Sequence, residues 1–401
     1  MIDFKQMTDN VITYASKLID KHGPRKAGSN ACQNCAADLH KEMESFADEA
    51  HIEEFKVHTG AFLGWIRILV TLYTAATVLL WFKMPFISAA LLLIGILIMI
   101  FQFFFYKHVI DFLYPGKKAM NVIGVVEPED EVKQEIIISG HHDSASIFNF
   151  FIHQPKLYGL RVMGGIGILA TIFVLSTILA FINLPPLYTT ILAILASTGA
   201  LIVLQLWFFA SKKATPGAGD NLTSSVMALE ALRQVAENKK AGKGLKHTRI
   251  KAISFDAEEE GLRGAYAYAK KHKNEFTKIP TYLYNIECLY YLDEIFFMTS
   301  DINCSVRLSK ELSESCVDIA EKLGYPSCTK DITFLTGGTD SGELAKYGVQ
   351  ATTLLGMPWD NSERASVYHT PNDTIDKVDK KAVQAGLEIF FDLLNNKENS
   401  L

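Results

Sequence analysis

Ile250-Lys251-Ala252-Ile253-Ser254-Phe255-Asp256-Ala257-Glu258-Glu259-Glu260-Gly261-Leu262-Arg263-Gly264 decides how the rest of this chain is read. Ile250 to Phe255 has the makeup of a buried strand, and three adjacent carboxylates follow it almost at once. Neighbouring carboxylates repel each other, so something must hold them. A helix N-terminus offers one reason, worth about 0.3 to 1 kcal/mol per exposed charge. A metal site offers a sharper one, because adjacent glutamates can divide labour: Glu259 ligates while Glu258 takes a proton.

Outward from this stretch, strand-like segments alternate with helix-like ones. Gln134 to Ser139, Arg249 to Phe255, Thr281 to Glu287 and Gln350 to Leu355 read as strands. Asn221 to Glu237, Arg263 to His272, Ser309 to Leu323 and Lys380 to Leu394 carry helical spacing. That alternation predicts an α/β domain with a mostly parallel sheet covered by helices. The formal charge of −5 gives no reason to invoke nucleic acid.

Four further motifs sit at the ends of such elements. Ile137-Ile138-Ser139-Gly140-His141-His142-Asp143 delivers His141 to the C-terminal edge of a strand, where open α/β sheets place their sites. Asp143 can orient its imidazole, as carboxylates do for zinc-binding histidines. Pro216-Gly217-Ala218-Gly219-Asp220-Asn221 reads either as a helix cap or as a loop holding an aspartate that bridges two cations. Tyr282 to Cys288 ends a strand with Glu287, and Tyr368-His369-Thr370 is a turn before the last helix. The cysteines offer no zinc-finger spacing, and strand alternation turns Cys288 away from Glu287. Thr336 to Gly342 lacks the lysine of a phosphate-binding loop; Asp340 within it is a candidate for orienting substrate.

In this order the motifs resemble the co-catalytic zinc aminopeptidase family, metallopeptidase family 28, which includes bacterial leucyl aminopeptidases, glutamate carboxypeptidase and the glutaminyl cyclases. Gly23 to Ser29 is similar to the family's opening segment. The resemblance implies a zinc aminopeptidase-like three-layer domain with two Zn2+ per chain, cobalt or manganese being alternatives. His141, Asp220 and Glu287 would hold one metal, and Asp220, Glu259 and His369 the other. It also implies Glu258 as general base, Asp143 behind His141, and Tyr368 as a donor to the oxyanion. The family usually has aspartate where this chain has Glu287. The function implied is removal of N-terminal residues from a peptide substrate. A silent scaffold with the same fold and a glutaminyl-cyclase-like acyltransferase are the alternatives.

Hydrophobic residues make up 49% of the chain, and the excess lies in four runs: Phe62 to Phe82, Phe86 to Tyr106, Val162 to Ile182 and Tyr188 to Ala210. Each reaches the roughly 20 residues that a bilayer-crossing helix needs. Tight turns pair them, so the sequence predicts four transmembrane α-helices inserted as two hairpins, at 61–106 and 158–210. The peptidase domain is then built from 1–60, 107–157 and 211–401. Lys107, Lys117, Lys212 and Lys213 flank the soluble side, whereas the tight turns hold only Lys83. The positive-inside rule then predicts a multi-pass protein of the cell membrane with a cytoplasmic catalytic domain close to the bilayer. The lipid bilayer becomes a partner, and small residues such as Gly164, Gly165 and Gly199 suggest homo-oligomer contact through the helices.

Overall fold

One mixed sheet organises the chain, in the spatial order Glu49–His58, Gly116–Val126, Thr248–Phe255, Gln134–His141, Thr281–Leu289, Gln350–Gly356, Ile295–Met298 and Thr329–Lys330. The computed structural model describes residues 2–333, 335–358, 361–364 and 366–401. The four strands foreseen from apolar runs are neighbours and run parallel at the centre of the sheet. At the flanks Glu49–His58, Gly116–Val126 and Ile295–Met298 pair antiparallel. The sheet is therefore mixed rather than mostly parallel, because residue alternation encodes which face a side chain takes but not which way the strand runs.

Successive residues of the Gln134–His141 strand serve opposite cores, as the two-residue repeat of a strand requires. Ile136 and Ile138 pack with the helices Thr223–Lys240 and Lys380–Asn399, and Ile137 packs with Ala265 and Tyr268 of the helix Arg263–His272. Helix starts follow capping chemistry: Ser29, Ser309 and Asp379 each accept a backbone N–H of the first turn.

The apolar runs form the helices Ala61–Trp81, Pro85–Met99, Tyr158–Phe181 and Pro186–Val203. By length and composition all four could cross a membrane. They pack in a closed ring, each against two of the others, around Leu69, Tyr73, Leu92, Ile172, Leu192 and Ala196. Tyr73 donates its hydroxyl to the Ala196 carbonyl at 2.7 Å. Large apolar side chains such as Val78, Leu93 and Ile194 remain exposed on the outer faces. Composition alone does not separate a helix that packs on its neighbours from one that packs on lipid, and part of this apolar surface is used in helix packing. The ring also reaches the sheet edge: Phe62 would lie 2.6 Å from a Cβ at Gly261, directly after the three glutamates.

Candidate metal centre

Each element end delivers one group to the same place. The Gln134–His141 strand stops where a Cβ at Gly140 would meet Ser224 at 2.6 Å, so glycine lets the strand end pack tightly against the start of the Thr223–Lys240 helix. His141 emerges just beyond. After Phe255 the backbone turns through a left-handed Ala257, and Leu262 and His369 are also left-handed, with φ of 60°, 61° and 52°. Non-glycine residues adopt that region at a cost and concentrate where a site needs them.

Asp220 lies between the two histidines: Oδ1 is 3.3 Å from His141 Nε2 and Oδ2 is 3.2 Å from His369 Nε2. His369 Nε2 is 3.4 Å from Glu259 Oε1. His141 Nε2 is 3.5 Å from Glu287 Oε2 and 3.8 Å from Glu258 Oε2. The structure thus gathers all five sequence-derived ligand candidates and Glu258. Four carboxylates face two imidazoles in a nearly sealed space, an excess of negative charge that needs cations. The imidazoles respond accordingly: burial alone would lower His369, yet Glu259 and Asp220 lift it to about 9. His141 Nε2 and Asp220 Oδ2 are buried without a hydrogen-bond partner. Oxygen and imidazole donors at these spacings fit a divalent metal.

Asp143 lies 3.3 Å from His141 Nδ1, while its two oxygens accept the Glu258 and Glu259 backbone N–H groups at 3.1 and 3.2 Å. It therefore orients both the imidazole and the glutamate pair. Glu287 reaches the cluster despite its extra methylene, because Asn221 and Asn285 donate amide hydrogens to its oxygens at 2.6 and 3.1 Å. Tyr368 lines the small pocket that also exposes Asp220, Glu258 and Glu287. Asp340 is fully buried, and burial pushes its carboxyl well up.

Two supports escaped the sequence reading. Arg25 is completely buried and donates to the carbonyls of Gly23, His142, Pro216 and Gly217 at 2.7 to 3.1 Å. Asp373 accepts Gly219 N at 2.8 Å, Asp220 N at 3.3 Å and the Tyr290 hydroxyl at 2.9 Å. Their only sequence signal is a charge placed between glycines or in a turn.

Cys288 corrects the alternation argument. It has a φ of 54° and sits where the pairing with Gln350–Gly356 slips by one residue, Leu355 facing Glu287 and Gly356 facing Leu289. Such a bulge puts two successive side chains on one side. The Cys288 thiol accordingly falls within 4.8 Å of donor atoms of Asp220 and Glu287.

Two recesses meet at Glu259. An apolar chamber is lined by Phe62, Trp65, Phe103, Phe148 and Phe209, with Glu258, Tyr368 and His369 at its inner end. A polar cleft of about 870 Å3 opens over Asp143, Glu259 and Glu260. Leu63, Ile66, Leu206 and Phe209 belong to both, so the apolar helices and the segment after them wall the site.

Residues 206–394, just under half the chain, match the model of peptidase family M28. Aminopeptidase YwaD of Bacillus subtilis is 26% identical over 181 residues, covering 42% of this chain and 35% of that relative. Among solved structures, a Bacteroides thetaiotaomicron glutaminyl cyclase aligns over 97% of both chains with a TM-score of 0.58 and 12% identity. A leucine aminopeptidase precursor from the same organism gives 0.57 and 13%, again over 97% of both. BSAP, a zinc aminopeptidase from Bacillus subtilis, gives 0.55 and 14% over 97% of this chain and 95% of its own.

These alignments run over 97% of this chain, and they correct the reading of the apolar runs as membrane hairpins inserted into a peptidase. The bilayer partner, the oligomer contact through those helices, the cytoplasm-facing site and the multi-pass cell-membrane location fall with it. What stands is a ring of four long apolar helices packed on one another. Residues 206–394, which bring Asp220, Glu258, Glu259, Glu287 and His369 to the cluster, match the peptidase family M28 model, and the donor atoms gathered there are close enough to hold a divalent metal.

Proposed function

We propose that the whole chain is a two-zinc aminopeptidase acting on peptides. The observation that carries this reading is Asp220, whose two oxygens face different histidines at 3.3 and 3.2 Å. One metal would be held by His141, Asp220 and Glu287, the other by Asp220, Glu259 and His369. Bound there, a pair of divalent cations lowers the pKa of water and polarises the scissile carbonyl.

The chain's own groups supply the rest. Glu258 accepts the proton of the attacking water and returns it to the leaving amine. Burial and the neighbouring carboxylates raise its pKa, and His141 opposes them; a raised value suits a group that must both take and give a proton. Asp143 fixes Glu258 through its backbone N–H. Tyr368 faces the oxyanion, and the apolar chamber takes the side chain of the N-terminal residue while excluding water. The test is metal content and aminoacyl-amide hydrolysis of the purified protein beside Glu258→Gln. Two metals in both, with turnover falling by about 10³ or more in the variant, support the reading. A single metal with cyclisation of N-terminal glutamine would replace it with the cyclase reading, and absence of metal and turnover would leave a scaffold.

A further inference from the structure

The polar cleft carries a charge pattern that hydrolysis of the peptide bond does not require. Lys26, Arg67, Lys117 and Lys212 stand on its walls, and none of them has an ion-pair partner among the described residues. Lys26 Nζ donates to the Lys212 carbonyl at 3.2 Å, and Arg67 stacks 5.8 Å from the Trp207 ring. The acidic groups below are already engaged: Asp143 by the Glu258 and Glu259 N–H groups, Glu260 by Gly60 N at 2.7 Å, and Glu259 by His369. Four cations on the walls thus face three carboxylates whose oxygens already have partners, which leaves the rim open to a further anion in a concave space.

Position gives that charge a use. The cleft shares Glu259 with the apolar chamber, so a peptide whose first side chain fills the chamber can continue into the cleft on its leaving-group side. Lys26 lines the same cleft as Glu259 and Glu260, so its ammonium stands on the side of the cleft that adjoins the metal cluster. A residue spans at most about 3.3 to 3.6 Å of extended chain, so the anion should lie within the first few residues after the scissile bond.

We propose that this cleft is an anion subsite in which the rim cations bind a carboxylate of a short peptide, either its C-terminus or an acidic side chain, on the leaving-group side. The assignment rests on the peptidase reading only for which part of the substrate enters. The substrate class is then short or acidic peptides rather than the neutral stretch of a long chain.

The experiment measures equilibrium binding to zinc-loaded full-length Glu258→Gln protein, in which bound peptide persists. Leucyl-glycyl-leucine is compared with its C-terminal amide, and leucyl-glutamyl-leucine amide with leucyl-glutaminyl-leucine amide. At low salt the anionic member of at least one pair should bind about tenfold tighter, the sum of two or three exposed charge contacts. That advantage should shrink as salt rises and largely vanish when Lys117→Gln and Lys212→Gln are added, both being exposed positions. The first pair reports the terminal carboxylate and the second the side chain. Equal affinities within both pairs, or an advantage indifferent to the lysine substitutions, overturn the subsite. Failure of wild-type protein to cleave any of the four, with the anion preference intact, would instead overturn the peptidase reading.

Discussion

Arg25 Nη2 donates to the carbonyl of Gly217 at 2.7 Å, and through the same guanidinium the N-terminal segment is tied to His142 and Pro216. One side chain thus fixes the two loops that carry His141 and Asp220. Arg25→Met should leave buried carbonyls unpaired and cost about 3 kcal/mol. Loss of the loops' fixed spacing should also weaken zinc retention by about 10- to 100-fold. Arg25→Lys should restore little of either, since an ammonium cannot present the same planar fork. Urea denaturation and competition with a zinc chelator read the two effects.

Glu287 stands where the family resemblance leads one to expect aspartate, and the structure gives the longer arm a setting of its own. Asn221 and Asn285 reach its two oxygens. Glu287→Asp should pull the carboxylate out of reach of at least one amide and weaken metal binding by about tenfold, although it restores the residue that the resemblance implies. Tighter zinc binding in Glu287→Asp, measured by the same competition, would show the amides to be incidental.

Stability should depend on pH through a cluster that shares no residue with the metal centre. Glu53 on the strand Glu49–His58 accepts from Lys271 and His272 at 2.8 Å each, with His51 at 3.5 Å, and His272 also meets Glu275 at 2.8 Å. Burial alone would raise the Glu53 carboxyl, but the hydrogen bonds from His272, His51 and Lys271 hold it well below its ordinary 4.5. Burial would lower His272, but Glu53 and Glu275 raise it above 6.5. The depressed group stabilises above about 4.5 and loses that contribution as pH falls. The raised group stabilises fully below about 6.5 and loses its contribution as pH climbs through the folded value. Together they are worth most between 4.5 and 6.5. Wild-type protein should therefore lose about 1 kcal/mol relative to Glu53→Gln between pH 6 and 9, a difference that parallel denaturation curves will detect.

Much of this arrangement could be read from residues alone, for physical reasons. The four central strands are buried on both faces, so they stand out as apolar runs; Arg263–His272 declares itself by spacing and by a basic last turn. Clustered carboxylates and histidines at strand ends are costly without a purpose, so they drew notice before the structure gathered them. Strand direction at the sheet edges had no such signature. Neither did the bulge that returns Cys288 to the site, nor Asp373, whose three donors come from residues far away in sequence or from a loop backbone. The apolar helices misled because composition reports how much apolar surface a segment has and not what covers it.

Gly261 joins that helical ring to the catalytic loop, and the join can be measured. Its φ is +91°, a conformation that side-chain-bearing residues rarely adopt, and a Cβ there would approach Phe62 Cδ2 to 2.6 Å. Gly261→Ala therefore faces two costs, a backbone term of about 1 to 2 kcal/mol and a clash that Phe62 or the loop must relieve by moving. Because Glu258, Glu259 and Glu260 immediately precede Gly261, movement of the loop should lower kcat as well as stability. Phe62→Ala removes the clash but not the backbone term. Combined with Gly261→Ala, it should recover part of the lost stability and turnover, giving a coupling energy of about 1 kcal/mol or more in a double-mutant cycle. Simple additivity would mean that the helix Ala61–Trp81 does not bear on the glutamate loop, and the apolar wall of the site would then have to be assigned to the segment around Phe209 alone.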